Sequence, residues 1–309
     1  MPDFVEKSRL ISHADSPIEV NQLIEEKLEQ IIQEGDKPYV TLQQQIEILY
    51  QLADFDFGRF LLQNQGINGY WTHYMLTYPL EKNNSHQTDL EKFLLECAPT
   101  VLATQERFKL FLKENQKTVE NNKKLACIPC GMMGELLYLN FSEINSIQLI
   151  GIDYDASTLE DAKKLAKEKN LLEFTTFKKS DAWDLNLKNE FDLISSNGLN
   201  IYEPNNEKVI ALYQQFYTAL KPNGKLVTSF LTPPPGLADD CEWNMKKINP
   251  QDLLLQKIIF TDILNLKFQC FRSTKQTKEQ LESVGFKNIC FIPDTANLFP
   301  TVTAIKPQE

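Results

Sequence analysis

Four short stretches combine small or acidic residues with strong turn signals: Cys127-Ile128-Pro129-Cys130-Gly131, Gly151-Ile152-Asp153, Ser180-Asp181-Ala182-Trp183 and Ser195-Ser196-Asn197-Gly198. Gly131 lets the backbone approach a ligand closely, and a helix starting just after it offers free N–H groups to an anion. The plain alternative is a tight turn with no ligand, because short glycine motifs are common. Asp153 can accept hydrogen bonds from a ribose diol. As a helix cap it would be redundant, since Asp155 stands in the better position. Asp181, followed by small Ala182 and aromatic Trp183, can hold and cover an adenine; otherwise the segment is a surface turn beside a core tryptophan. Small polar residues around Asn197 leave room for a reacting group.

The elements between these stretches decide whether they meet. From Lys124 onward, the apolar runs LACIP, IQLIGID, FTTFK, FDLISSN and KLVTSFL alternate with amphipathic helical segments. That alternation predicts βαβ units and a mostly parallel sheet covered on both faces, a doubly wound α/β fold. Asp155 is expected to cap a helix over Ala156–Lys169, and Lys221-Pro222-Asn223-Gly224 to turn the chain into the fifth strand. The closing runs NICFIPD and FPTVTAIK have no helix between them, so they should pair antiparallel. Residues 232–273 read as an insertion after the fifth strand. Ligands bind outside the carboxyl ends of parallel strands, where strand order reverses. The four stretches fall in order on consecutive strand ends, which gives them more weight together than any has alone.

Residues 1–120 read as a separate helical domain, with 121–309 as the α/β domain. Ser16, Pro17 and Glu19 form a helix-start signature ahead of apolar residues at helical spacing, and Gly35 ends that run. Thr41 with Gln44 opens a second helix. A third, Phe57–Gln65, is expected to stop at Gly66. Thr88 with Glu91 caps a fourth, and a fifth starts at Thr100. Between them, Gly66 and Gly69 flank a loop leading into the aromatic cluster Tyr70, Trp71 and Tyr74, with His73 among them. The cluster either lines an acceptor site through Tyr70, Trp71 and His73 or is an ordinary aromatic core.

Residues from about Lys123 to Lys306 resemble a class I S-adenosylmethionine-dependent methyltransferase. ACIPCGMMGEL looks like the glycine-rich first motif, IGIDYDASTLEDAKKLA like the second strand and helix, KKSDAWDL like the adenine motif, and FDLISSNGLNIY like the fourth-strand motif. LKPNGKLVTSF is similar to the run into the fifth strand. The resemblance implies a seven-stranded sheet with a C-terminal antiparallel hairpin, and S-adenosylmethionine as cofactor with S-adenosylhomocysteine as product. It further implies that Gly131 approaches the methionine part, Asp153 the ribose, Asp181 and Ala182 the adenine with Trp183 beside it, and Asn197 the sulfonium, with Pro129 and Tyr154 also among the cofactor-binding residues. Family members carry an acid near the start of the first motif and closely spaced glycines. Here Cys127, Pro129 and Met133 stand at those positions. Arg107, on the helix before the sheet, can meet the cofactor carboxylate or be a surface cation. Tyr202 and His73 are the candidates for catalytic and acceptor contacts.

Composition narrows the classes. The 309 residues are 42% apolar and 24% charged, with a formal net charge of −10. Such a surface repels phosphate backbones, which disfavours a nucleic-acid partner. The first 17 residues hold no long apolar run, so no signal peptide is expected, and no stretch is long enough to span a bilayer. Six scattered cysteines point to a reducing compartment, the cytoplasm by default. Cys127-x-x-Cys130 sits where a thioredoxin-like redox pair would, but small packed cysteines explain it too. No metal site is expected, since no second close Cys/His pair exists. A nicotinamide dehydrogenase would prefer G-x-G-x-x-G, which is absent. Two readings lead: a methyltransferase acting on a small molecule in a covered pocket, and a non-catalytic S-adenosylmethionine-binding protein on the same fold.

Overall fold

Alternate residues of the apolar runs go to opposite faces of one sheet, as strand geometry requires. Leu125, Leu193 and Val227 enter one buried cluster; their neighbours Ala126, Ile194 and Leu226 enter the other. The computed structural model describes residues 20–81, 87–237, 241–266 and 270–308. Its strands are β1 (Lys123–Cys127), β2 (Ile147–Asp153), β3 (Thr175–Lys179), β4 (Phe191–Ser196), β5 (Leu220–Ser229), β6 (Lys287–Ile292) and β7 (Thr301–Ile305). They form a seven-stranded sheet in the order β3-β2-β1-β4-β5-β7-β6. β1 to β5 pair in parallel, while β7 runs antiparallel to both β5 and β6. This is the class I methyltransferase fold expected above.

Helices cover both faces. Val209, Leu212, Tyr213 and Phe216 of helix Asn206–Ala219, with Leu281 of helix Thr274–Ser283, pack on the first face. Phe111 of helix Pro99–Gln116 and Leu159, Ala162 and Leu165 of helix Ala156–Glu168 pack on the second. Asp155 caps the latter helix by accepting from the Ser157 N–H at 3.0 Å. Strand order reverses at β1, which pairs with β2 on one side and β4 on the other. The tips of β1, β2 and β4 therefore flank the crevice where such sheets bind ligands.

Helix Pro99–Gln116 is tied to the sheet by charge. Lys225 Nζ donates to Glu114 Oε2 at 2.8 Å, and Lys117 Nζ to Glu114 Oε1 at 2.6 Å. Burial alone would raise the Glu114 carboxyl, but the two ammonium groups hold it below the ordinary value. A depressed folded-state pKa means the contribution is full above the unfolded value near 4.5 and is lost as pH falls through the lower folded value. Glu114→Gln is expected to cost about 1.5–3 kcal/mol at pH 7, the range for hydrogen bonds to charged groups. The deficit should shrink below pH 4.5, which urea unfolding across pH measures directly.

The chain divides into two compact units, and the break in the N-terminal half falls inside helix Pro99–Gln116. One comprises Met1–Leu102 with Met245–Lys267; the other comprises Ala103–Asn244 with Phe268–Glu309. Part of the insertion thus clusters with the N-terminal helices rather than with the sheet. Its Ile258, Ile259, Ile263 and Leu264 share a buried cluster with Leu49, Leu52, Phe57 and Leu61.

Within the helical unit, Thr41 and Gln44 form the expected capping box of helix Leu42–Ala53, and the Thr88 hydroxyl accepts from the Glu91 N–H. Helix Asp56–Asn64 stops one residue earlier than expected, at Gln65 with φ 49°, rather than at Gly66. The aromatic segment, read as following a loop, is itself helical over Gly69–Glu81, with the Asn68 side chain accepting from the Trp71 N–H at 2.9 Å. Ser16, Pro17 and Glu19 lie outside the described residues.

Candidate active site

The turn after β1 is stitched to both neighbours. Ile128 N–H donates to Ser195 O of β4 at 2.9 Å, and Cys130 N–H to Ile152 O of β2 at 2.8 Å. Ile128-Pro129 is a cis peptide, and Gly131 follows with φ 49°. Met133, buried with φ 59°, takes a left-handed position where the family pattern expects glycine. The short helix Gly134–Leu137 begins there.

Asp153 closes the loop from the other side. Its Oδ2 accepts from Gly131 N–H at 3.0 Å and its Oδ1 from Asp155 N–H at 3.1 Å. Burial pushes this carboxyl up, while the backbone N–H groups of Asp155, Gly131 and Tyr154 pull it back. Tyr154 is exposed, with the Lys179 ammonium 5.7 Å from its ring centre. Asp181 folds the β3 turn by accepting from Trp183 N–H at 2.9 Å. Trp183 is partly buried and donates its indole N–H to Lys208 O at 2.8 Å, beside buried Ala182.

Asn197, just past β4, has a defined amide orientation. Its Oδ1 accepts from Ser229 Oγ at 3.0 Å, and its Nδ2 donates to Glu135 Oε1 at 3.1 Å. Glu135 was not among the residues expected here. It is only 8% exposed, and its Oε2 accepts from Ser195 Oγ at 2.6 Å and lies 3.7 Å from the Cys127 sulfur. Cys127 occupies the position where the family pattern carries an acid, so Glu135 brings a carboxylate to that same corner. Burial raises Glu135, and Ser195, Arg107 and Asn197 oppose the rise. A search for a replacement acid within one turn of the motif would have found it.

Arg107 is 5% exposed, not a surface cation. Its guanidinium carbon stands 4.7 Å from the Phe299 ring centre, and its Nε has no hydrogen-bond partner. Burial pulls its pKa down to about 10, against the fields of Glu135, Tyr202 and Asp294. Burial likewise raises the Tyr202 hydroxyl. Tyr70, Trp71 and His73 belong to the helical unit. Trp71 is stacked on Phe57 at 5.3 Å and edge-on to Tyr74 at 5.4 Å, while Tyr70 is 52% exposed.

The two motif cysteines are buried, and burial pushes both thiols well above the ordinary value, helped by Glu135 at Cys127 and by Asp153 at Cys130. A redox pair needs the opposite, a stabilised thiolate. In a native-state thiol titration, exposed Cys97 and Cys290 should therefore react before Cys127 and Cys130. No group of three or more residues suited to a metal ion occurs among the described residues, and no described helix is long and apolar enough to cross a membrane.

A possible exported protein from Bordetella parapertussis shares 42% sequence identity with this chain over 94% of it and 96% of the other, with a TM-score of 0.89. The magnesium protoporphyrin IX methyltransferase of Synechocystis PCC 6803, solved with bound SAH, is similar in fold. Its TM-score is 0.50 at 14% identity, covering 77% of this chain and 98% of that one. No curated protein matches the sequence. The family model for a methyltransferase domain matches residues 128–283, which take in the four strand-tip stretches from Ile128 onward and the helix Thr274–Ser283; the chain belongs to that methyltransferase family.

Proposed function

We propose that the protein transfers a methyl group from S-adenosylmethionine to a small-molecule acceptor. The observation that carries this reading is the Asp153 carboxylate. It lies at the β2 tip against the Gly131 turn, and a carboxylate has about four acceptor positions, so backbone N–H groups leave room for a ribose hydroxyl. The positive φ of Gly131 and the unsatisfied Nε of Arg107 also fit that cofactor.

Bound S-adenosylmethionine supplies a methyl group already activated by a sulfonium. Asp153 then fixes the ribose, with Tyr154 beside it. Asp181, Ala182 and Trp183 hold the adenine edge and face. Pro129 and Gly131 keep the turn close to the methionine part, and Arg107 offers a donor to its carboxylate. Asn197 lies near the reacting centre with its amide held by Glu135 and Ser229. Alignment and exclusion of water supply most of the rate, so no catalytic dyad is required. A general base is needed only if the acceptor must lose a proton. The charge of −10 goes with a non-nucleic-acid acceptor.

Calorimetric titration with S-adenosylmethionine, S-adenosylhomocysteine and NAD tests the reading; binding of NAD alone would overturn it. Pro129 and Met133 at glycine positions favour a second reading, a receptor that binds the cofactor without turnover. Transfer of labelled methyl to a metabolite extract separates the two. Cys127→Ser with Cys130→Ser should leave cofactor affinity within about two-fold, because both act as small packed groups.

A further inference from the structure

The short helix Leu199–Tyr202 past the end of β4 is a single turn, too brief to hold itself, and its last carbonyls need donors from elsewhere. A distant segment, the end of the insertion, supplies them. Cys270 N–H donates to Ile201 O at 2.7 Å. Arg272 Nη1 donates to Asn200 O at 2.6 Å, and its Nη2 to Glu203 O at 2.5 Å. Its Nε donates to Asn206 Oδ1 at 3.1 Å, and its backbone N–H to Leu231 O, just past β5, at 2.8 Å. Arg272 is 3% exposed, yet the three acceptors of its guanidinium are two carbonyls and an amide, none of them charged. A buried cation with no bonded counter-charge is a poor source of stability, and an apolar side chain could replace it at little loss. What the planar fork adds is geometry, since it reaches two carbonyls at once. The bonds continue inward from there. Asn200 Nδ2 donates to Ser229 O at 2.7 Å, and Ser229 Oγ donates to Asn197 Oδ1 at 3.0 Å.

We propose that Arg272 is a positioning residue for the cofactor site: through Asn200 and Ser229 it sets the Asn197 amide at the β4 tip. The inference rests on the methyltransferase reading, in which Asn197 lies near the sulfonium. It also gives the end of the insertion a task. Residues 270–272 hold the turn after β4 against the start of the insertion at Leu231, so that the reacting end of the crevice keeps one shape.

Calorimetric titration with S-adenosylmethionine tests the role, with the unfolding midpoint measured for every variant. Arg272→Lys keeps the charge but loses the fork, and should weaken binding about three- to ten-fold, as the loss of one hydrogen bond does. Arg272→Met should weaken it at least as much. Asn206→Ala removes only the partner outside the turn; it should lower the unfolding midpoint and leave the affinity unchanged. A merely structural role would instead lower stability and affinity together in all three. The decisive comparison places Arg272→Lys in an Asn197→Ala background. There it should cause no further loss, because its effect passes through Asn197, whereas a full additive loss overturns the proposal. Unchanged affinity in both single Arg272 variants also overturns it. If the wild-type protein does not bind S-adenosylmethionine, the methyltransferase reading fails first, and amide hydrogen exchange then reads the hold itself. Arg272→Lys should speed exchange at residues 199–203 about ten-fold and leave the β2 tip as it is; equal rates in the two proteins would remove the positioning role as well.

Discussion

Asp153→Ala is expected to weaken S-adenosylmethionine binding by about 1.5–3 kcal/mol, or ten-fold to more than a hundred-fold in Kd. The lower figure corresponds to a lost hydrogen bond from a charged acceptor to a ribose hydroxyl. The upper figure adds a second effect. The same carboxylate holds the Gly131 N–H at 3.0 Å and the Asp155 N–H at 3.1 Å, so its removal also loosens the turn that approaches the ligand. Asp153→Asn separates the two contributions: the amide oxygen can still hold one backbone N–H while the charge is gone. Titration calorimetry reads both variants, and an unchanged affinity in the alanine variant would refute the ribose assignment.

Phe216→Ala should be the most damaging single change to the fold, costing about 3–5 kcal/mol. Phe216 is fully buried on helix Asn206–Ala219, in the cluster that packs that helix on the sheet face holding Ala126, Ile194 and Leu226. Deleting the ring removes its transfer free energy and leaves a cavity between rigid β-strands and a helix that cannot collapse into it. Tryptophan fluorescence during urea unfolding measures the effect. Trp183 and Trp243 report on the sheet unit and Trp71 on the helical unit, so a Trp71→Phe background isolates the relevant transition.

The strand tips were legible in the sequence because two periodicities and the punctuation between them agreed. IQLIGID and FDLISSN read as buried strands, and their last residues, Asp153 and Asn197, fall beside the β1 turn. Glu135 was not legible. Its meaning depends on Cys127, Ser195 and Asn197, which meet it only once β1 and β4 pair. Arg107 read equally well as a surface cation, since nothing local in ATQERFKLF marks the buried side of that helix. The helix Gly69–Glu81 was obscured by Gly69, Pro79 and aromatics distributed around the whole helix, which leave little one-sided pattern. Membership of residues 245–267 in the helical unit is likewise a long-range fact, written in which isoleucines find Leu49 and Leu52.

That two-part membership has a practical consequence for anyone dissecting the polypeptide. No single truncation point releases the N-terminal half as an intact piece. A fragment ending near residue 120 would present Leu49, Leu52 and Leu61 to water in place of Ile258, Ile259 and Ile263, and should aggregate on expression. Supplying 245–267 as a separate peptide, or rejoining it through a designed linker, is what would keep such a fragment in solution.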